Sequence, residues 1–242
     1  MIPGRIADIW VYLAASPLLG LTITLLAYQG AYWLYQRASF NPLLNPVLLA
    51  VIMLVAALKF TDTQYQTYFD GAQFVHFLLG PATVALAVPL YAQFDKLRAL
   101  LLPLGVALLA GSLTAIVSAV GIAWLLGAGE TTLLSLAPKS VTAPIAMGIA
   151  EKIGGIPSLT AVLVIMTGVS GAMMAKYVLD ALRVKDLGVR GFAVGVASHG
   201  IGTARAFQVS EEAGAFAGLG MGLNGLLTAI LMPLMLALWR WF

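Results

Sequence analysis

Apolar runs of membrane-crossing length follow one another from Ile9 almost to the C-terminus, and that succession limits the fold more than any other feature. Eight can be drawn, at about 9–35, 43–60, 73–92, 99–126, 131–152, 157–182, 189–209 and 213–241, with short polar links between them. A helix crossing a bilayer needs about 20 mostly apolar residues. Of the 242 residues 61% are hydrophobic and 10% are charged, against about 25% charged in soluble domains. The reading is an all-α polytopic membrane protein, a single transmembrane domain over residues 1–242, in which no soluble domain of useful size can be hidden. The run 9–35 is too long for the apolar core of a signal peptide. Its Trp10, Tyr12, Tyr32 and Trp33 suit interfacial belts, so it reads as a retained first helix.

The formal charge of +3 comes from Lys and Arg scattered through short links. That pattern orients a membrane protein and does not point to nucleic acid. Lys176, Arg183, Lys185 and Arg190 form the largest basic cluster, which places their link on the cytoplasmic side. If all eight segments span, both termini are cytoplasmic too. There is no cysteine, which removes disulfides, thiolate chemistry and Cys-bound metals. No metal, cofactor or catalytic group is expected.

Five segments are plain: 9–35, 43–60, 99–126, 157–182 and 213–241. The last begins with Gly214, Gly218 and Gly222, a small-residue spacing that lets another helix approach closely and suggests a homodimer face. The other three, 73–92, 131–152 and 189–209, are interrupted at Gly80-Pro81-Ala82-Thr83, at Pro138-Lys139-Ser140-Val141-Thr142 ahead of Pro144, and at His199-Gly200-Ile201-Gly202-Thr203. Each is followed by a polar link and a plain segment, which reads as an internal repeat. Broken helices at membrane depth are tolerated where they are buried in protein or line a cavity, and in transporters they build the binding site. The expectation is three broken or re-entrant elements meeting near the midplane, with Thr142 and Thr203 as N-caps.

The costly residues sit at these breaks. Arg205 ends an apolar run, where a charge costs about 2.5–3.5 kcal/mol on insertion scales. On a continuous helix His199 and Arg205 would face about 240° apart. Unwinding at Gly200 and Gly202 would let them converge, Arg205 gripping a carboxylate and His199 meeting a hydroxyl or keto oxygen or relaying a coupling proton. Lys139 adds positive charge, and Ser140, Thr142, Thr203 and Thr83 add neutral donors. Asn45 and Asn224 are candidate interhelical polar groups, and Asn224 a candidate ligand. Acidic residues all lie at or near links, so the buried positive charge points to a small organic anion. The bland alternatives are a snorkelling Arg205, a structural His199 and an interfacial Lys139.

The motifs Phe77-Leu78-Leu79-Gly80-Pro81-Ala82-Thr83, Pro138-Lys139-Ser140-Val141-Thr142-Ala143-Pro144 and His199-Gly200-Ile201-Gly202-Thr203-Ala204-Arg205, in this order, resemble the LrgB/CidB family, over about residues 15–240. The resemblance implies a multi-pass bacterial inner-membrane protein, described as antiholin-like, working beside a small LrgA/CidA-type partner. It also implies kinship with the plastid glycolate/glycerate translocator and with members linked to pyruvate uptake. Three readings follow: a secondary transporter of small monocarboxylates (glycolate, glycerate, pyruvate or lactate), a holin-like regulator acting by assembly, or an intramembrane hydrolase. The last rests on Gly168-Val169-Ser170-Gly171 with His199, which is similar to the Ser and His pattern of rhomboid proteases.

Overall fold

The computed structural model describes residues 17–239, and the described residues contain helices and no strand. The helices are α1 (Pro17–Arg37), α2 (Pro46–Phe60), α3 (Tyr65–Phe77), α4 (Leu79–Ala85), α5 (Ala87–Ala92), α6 (Phe94–Ala99), α7 (Leu101–Leu125), α8 (Glu130–Leu136), α9 (Ala143–Ile153), α10 (Pro157–Ala181), α11 (Leu187–Phe207) and α12 (Glu211–Trp239). Among the described residues four stretches are long and apolar enough to cross a membrane: Tyr65–Ala92, Leu101–Leu125, Pro157–Ala181 and Glu211–Ala237. Pro46–Phe60 is apolar but shorter. The plain segments expected at 43–60, 99–126, 157–182 and 213–241 thus correspond to α2, α7, α10 and α12. Of the run 9–35, the part before Pro17 lies outside the described residues.

Proline sets three of the four helix ends between Tyr65 and Leu101. A proline lacks the N–H its helix needs and its ring crowds the carbonyl four residues earlier. Pro81, Pro89 and Pro103 stand four residues after Phe77, Ala85 and Ala99, the last residues of α3, α4 and α6. Gly80 and Pro81 lie inside α4, and the articulations fall at Leu78 and Leu86. The expected break at Gly80-Pro81 is therefore displaced by the reach of the proline ring toward the N-terminus. The three interruptions take three forms: this articulated run, a turn at Pro138–Thr142 and a kink at His199.

The chain forms two compact units, residues 1–85 and 86–242. In the first, α1 packs on α2 and α3. Gly20 makes the close approach possible, since a Cβ there would stand 2.8 Å from backbone atoms of Tyr68, Gly71 and Ala72. Thr24 Oγ1 and Tyr68 Oη are 2.8 Å apart across that seam. Asn45 caps α2 by accepting from the N–H of Val47 and Leu48, a local role that accounts for its burial.

The second unit is organised on the α11–α12 hairpin. A Cβ at Gly191 or Gly195 would collide with the carbonyl oxygens of Ala213 and Ala217, and one at Gly220 would stand 2.7 Å from the Phe192 carbonyl. These small residues, one turn apart, let the backbones touch. Of Gly214, Gly218 and Gly222, whose spacing suggests a homodimer face, Gly214 holds the Phe207 ring within the chain, Gly218 faces Leu86 at an ordinary 3.4 Å, and Gly222 has nothing within 4 Å of a Cβ. Leu104, Phe192, Val196 and Phe216 make one buried cluster and Ile116, Ala137, Ile149, Ile153 and Met232 another. At one end Lys96 bridges Asp186 (2.9 Å) and Glu212 (2.5 Å), tying α6 to the start of both hairpin helices.

Candidate functional site: two interrupted helices joined at Asn224

The first interruption separates α8 from α9. Tight turns close it, with Lys139 N–H donating to Leu136 O (3.1 Å) and Val141 N–H to Pro138 O (3.3 Å). Pro138, Ser140 and Val141 are buried. Thr142 occupies the N-cap position of α9 with extended backbone, yet its side chain makes no capping bond. Pro144 lies in the first turn of α9, where a missing N–H is harmless. Lys139 is half-buried, and its Nζ donates to Ser140 Oγ at 3.3 Å.

The second interruption is at His199 itself, whose φ of 43° and ψ of −136° depart from the helix around it. Such backbone is glycine territory and costs a larger residue about 1–3 kcal/mol. The expected unwinding at Gly200 and Gly202 does not occur, because both are helical. A Cβ on Gly202 would come within 2.6 Å of Ser198 Cβ, so that glycine serves packing. Thr203, expected as an N-cap, sits inside the helix and donates to His199 O at 2.8 Å. His199 Nε2 pairs with Val164 O on α10 at 2.9 Å.

Asn224, 1% exposed, joins the two interruptions. Its Nδ2 donates to Ser140 O (3.2 Å) and to Val196 O (3.0 Å). The Ser140 carbonyl lacks an ordinary helical partner, because Pro144, four residues on, has no N–H. The Val196 carbonyl lies in the turn before the kink at His199. Its Oδ1 accepts from Ser112 Oγ and, at 3.4 Å, from Thr228 Oγ1. The amide is thus fully engaged within the protein.

Helix α10 closes on this junction through glycines that carried no signal at the breaks. A Cβ at Gly168 would stand 2.6 Å from His199 Cε1, and one at Gly171 would collide with Ser198 Oγ. Ser170 is exposed on the other side of α10. The Ser170–His199 pairing on which the hydrolase reading rests is therefore not assembled: Gly168 faces the histidine, Gly171 faces Ser198, and Ser170 faces away.

Arg205 is elsewhere. It lines a cleft of about 270 Å³ with Lys176, Asp180 and Arg190, and the lining includes none of Lys139, Ser140, Thr142, His199 or Thr203. One guanidinium nitrogen donates to Gln208 Oε1 at 3.2 Å. The structure brings together Lys139, Ser140, His199 and Asn224 of the expected residues and separates Arg205 from them. Gly80 and Pro81 belong to the first unit, and the side chain of Thr83 lies outside the described residues. Among the described residues no group of His, Asp and Glu could hold a metal ion.

The profile of the LrgB-like family matches residues 24–238. The chain belongs to that family. Among curated relatives, YxaC and YwbG of Bacillus subtilis are each 36% identical, over 90% and 91% of this chain and 94% and 97% of their own lengths. The antiholin-like protein LrgB of Bacillus mycoides is 30% identical over 90% of this chain and 95% of its own. No solved structure matches. The matched region takes in both units and every interruption described above.

Proposed function

We propose that this LrgB-family protein has an antiholin-like role in the bacterial inner membrane, and that its molecular activity is the passage of a small monocarboxylate through the second unit. The first half of this reading is supported by the name of the Bacillus mycoides relative and by the match over nearly the whole of both chains. A partner of the LrgA/CidA type belongs to the same reading. Autolysis control is an outcome for the cell and names no chemistry. The second half supplies one.

One observation carries the transport reading. Lys139, half-buried on an interrupted segment, has Ser140 Oγ as its hydrogen-bond partner, and none of the ion pairs among the described residues includes it. A cation taken part-way out of water without a carboxylate is costly, and an arriving anion offsets that cost. Ser140 is bonded to it, and the kinked helix that carries His199 is joined to the same segment through Asn224. His199 gives the site a group able to take the proton that would keep anion passage electroneutral.

Counterflow of labelled glycolate or pyruvate in proteoliposomes tests this. Saturable exchange is expected. No exchange of either acid, with co-purification of an LrgA/CidA-type partner intact, would leave the antiholin-like role without transport.

A further inference from the structure

The departure from helix at His199 turns the chain back on itself. A Cβ on Gly202 would stand 2.9 Å from Val194 O, eight residues earlier, whereas eight residues of straight helix span about 12 Å. Gly191 meets Ala213 and Gly195 meets Ala217, so residues 187–198 run parallel to α12. Residues 200–207 are the arm that brings the chain back to the start of α12. Lys96 accordingly reaches Asp186 and Glu212, which stand at the two starts, from one place. As helix, residues 187–198 rise about 18 Å, which carries the tip to roughly the middle of a ~30 Å hydrocarbon core.

Building on the transport reading, we infer that the cleft between the returning arm and α10 is the aqueous passage by which a small anion reaches this tip, and that Ser198 against Gly171 is its narrowest point. The cleft, about 270 Å³, follows one face of α10 from Asp180 through Lys176 to Ala172, a depth of about 12 Å. Ionisable residues within membrane spans face the protein interior or a water-filled cavity, and Lys176 and Asp180 of α10 both line this one. Asp180 pairs with Arg190 at the mouth, at 2.6 Å. The walls are small, with Ala172, Ala175, Gly191 and Ala206 among them. Next along α10 is Gly171, where a Cβ would collide with Ser198 Oγ. A turn further, a Cβ on Gly168 would stand 2.6 Å from His199 Cε1 and 2.9 Å from Ile201 Cδ1. Two glycines thus let the tip close on α10. Behind the tip, Asn224 ties Val196 O to Ser140 O, and Ser140 Oγ accepts from Lys139. The cleft therefore leads from an exposed link toward the joined interruptions and stops at one small side chain.

The chain has no cysteine, so single cysteines introduced into the full protein report on water without background. A small, charged, membrane-impermeant methanethiosulfonate attacks as thiolate forms, and a thiolate needs water around it. Lys185→Cys and Val209→Cys, one before and one after α11, should label from the same face of the membrane. Ala175→Cys in the cleft should label, whereas Met174→Cys and Val178→Cys, at exposed apolar positions of α10, should not. Ile201→Cys, beyond the narrow point, should label slowly, severalfold faster once Ser198→Gly is added, and slowly again when Gly171→Ala refills the space. Ser198→Gly removes the atoms that the new Cβ would strike, so the combined variant folds even where Gly171→Ala alone does not. Labelling of Lys185→Cys and Val209→Cys from opposite faces, no labelling at Ala175→Cys, or an Ile201→Cys rate indifferent to Ser198→Gly would overturn the inference. Glycolate or pyruvate counterflow that persists in those cases would keep the transport reading and assign it another route. The full labelling pattern without counterflow would instead overturn the transport reading, and with it the passage of an anion, leaving a water-filled cleft.

Discussion

Asn224 donates to the carbonyl of Ser140 at 3.2 Å across 84 residues of chain, and the same amide nitrogen serves Val196. One side chain of α12 thereby ties both interrupted segments together through their backbone carbonyls. Interruption of a membrane helix strands carbonyls where no water reaches them, and at Ser140, four residues before Pro144, Asn224 supplies the donor that the helix cannot.

Asn224→Leu should therefore be among the most damaging substitutions in α12. It strands two buried carbonyls, each costing about 1–3 kcal/mol, and removes the acceptor of Ser112 and Thr228. Thermal unfolding in mild detergent measures the loss. A variant that melts within a degree or two of wild type would show that relaxation or water satisfies the carbonyls instead.

The α11–α12 seam gives a paired test. Gly195→Val places a Cβ against the Ala217 carbonyl and should prevent the hairpin from closing. Gly222 has open space around it, so Gly222→Ala should be neutral or stabilise by up to about 1 kcal/mol through helix propensity. Equal behaviour of the two variants would sink the assignment of the packing face to Gly191 and Gly195.

That face shows what was legible in the sequence. Helix content, the positions of the long plain helices and the two polar interruptions at 138–142 and 199–203 follow from apolar run length and from Pro and Gly placement. The partner of each small residue does not. Gly214-x-x-x-Gly218-x-x-x-Gly222 and Gly191-x-x-x-Gly195 carry the same spacing, and only the facing helix decides which one is used. Nor could spacing place Arg205. Convergence with His199 required unwinding at Gly200 and Gly202, whereas the chain departs from helix at His199 alone and continues helically to Phe207. Ser112 lies in ordinary apolar text, and Gly168 and Gly171 read as flanks of Ser170; their roles against Asn224, His199 and Ser198 show only once α10 and α12 are seen against the kink.

The kink itself is testable with two variants that lose the same side-chain chemistry. His199→Gly and His199→Ala both delete the imidazole and its bond to Val164, but only glycine is at ease at a φ of 43°. His199→Gly should be the more stable by about 1–3 kcal/mol, read from denaturation of the two variants side by side. Equal stabilities would mean that the backbone straightens when the ring is removed.

The Lys96 bridge predicts a specific pH dependence outside the membrane. Asp186 is held below its ordinary 3.8, first by the N–H of Val189 and then by Lys96, and Lys96 is held above 10.5 by Glu212 and Asp186. A depressed carboxylate contributes stability above its ordinary value and loses it as pH falls through the folded value. A raised lysine contributes below 10.5 and loses it as pH rises through the folded value. Stability from this group should be flat across neutral pH and fall at both extremes. Lys96→Met should abolish the alkaline limb and only part of the acid limb, because the Val189 bond to Asp186 remains at 2.8 Å. The side chains are 35% and 47% exposed, so the loss at neutral pH should be under about 1 kcal/mol. Unchanged melting curves of Lys96→Met at high pH would count against the bridge.

Lys139 separates a ligand-site lysine from a structural one. If it only supported the turn, Lys139→Met would lose its bond to Ser140 and lower stability. If it awaits an anion, removing a half-buried cation that has no carboxylate should raise stability, by about 1 kcal/mol, while glycolate or pyruvate counterflow disappears, the trade common where a strained site serves function. Lys139→Arg keeps the charge and should retain exchange with altered affinity, since a planar fork replaces a point charge. The two readouts move in opposite directions only on the transport reading. A Lys139→Met protein that is less stable than wild type and still exchanges substrate would return Lys139 to the turn and leave the second unit without its anion ligand.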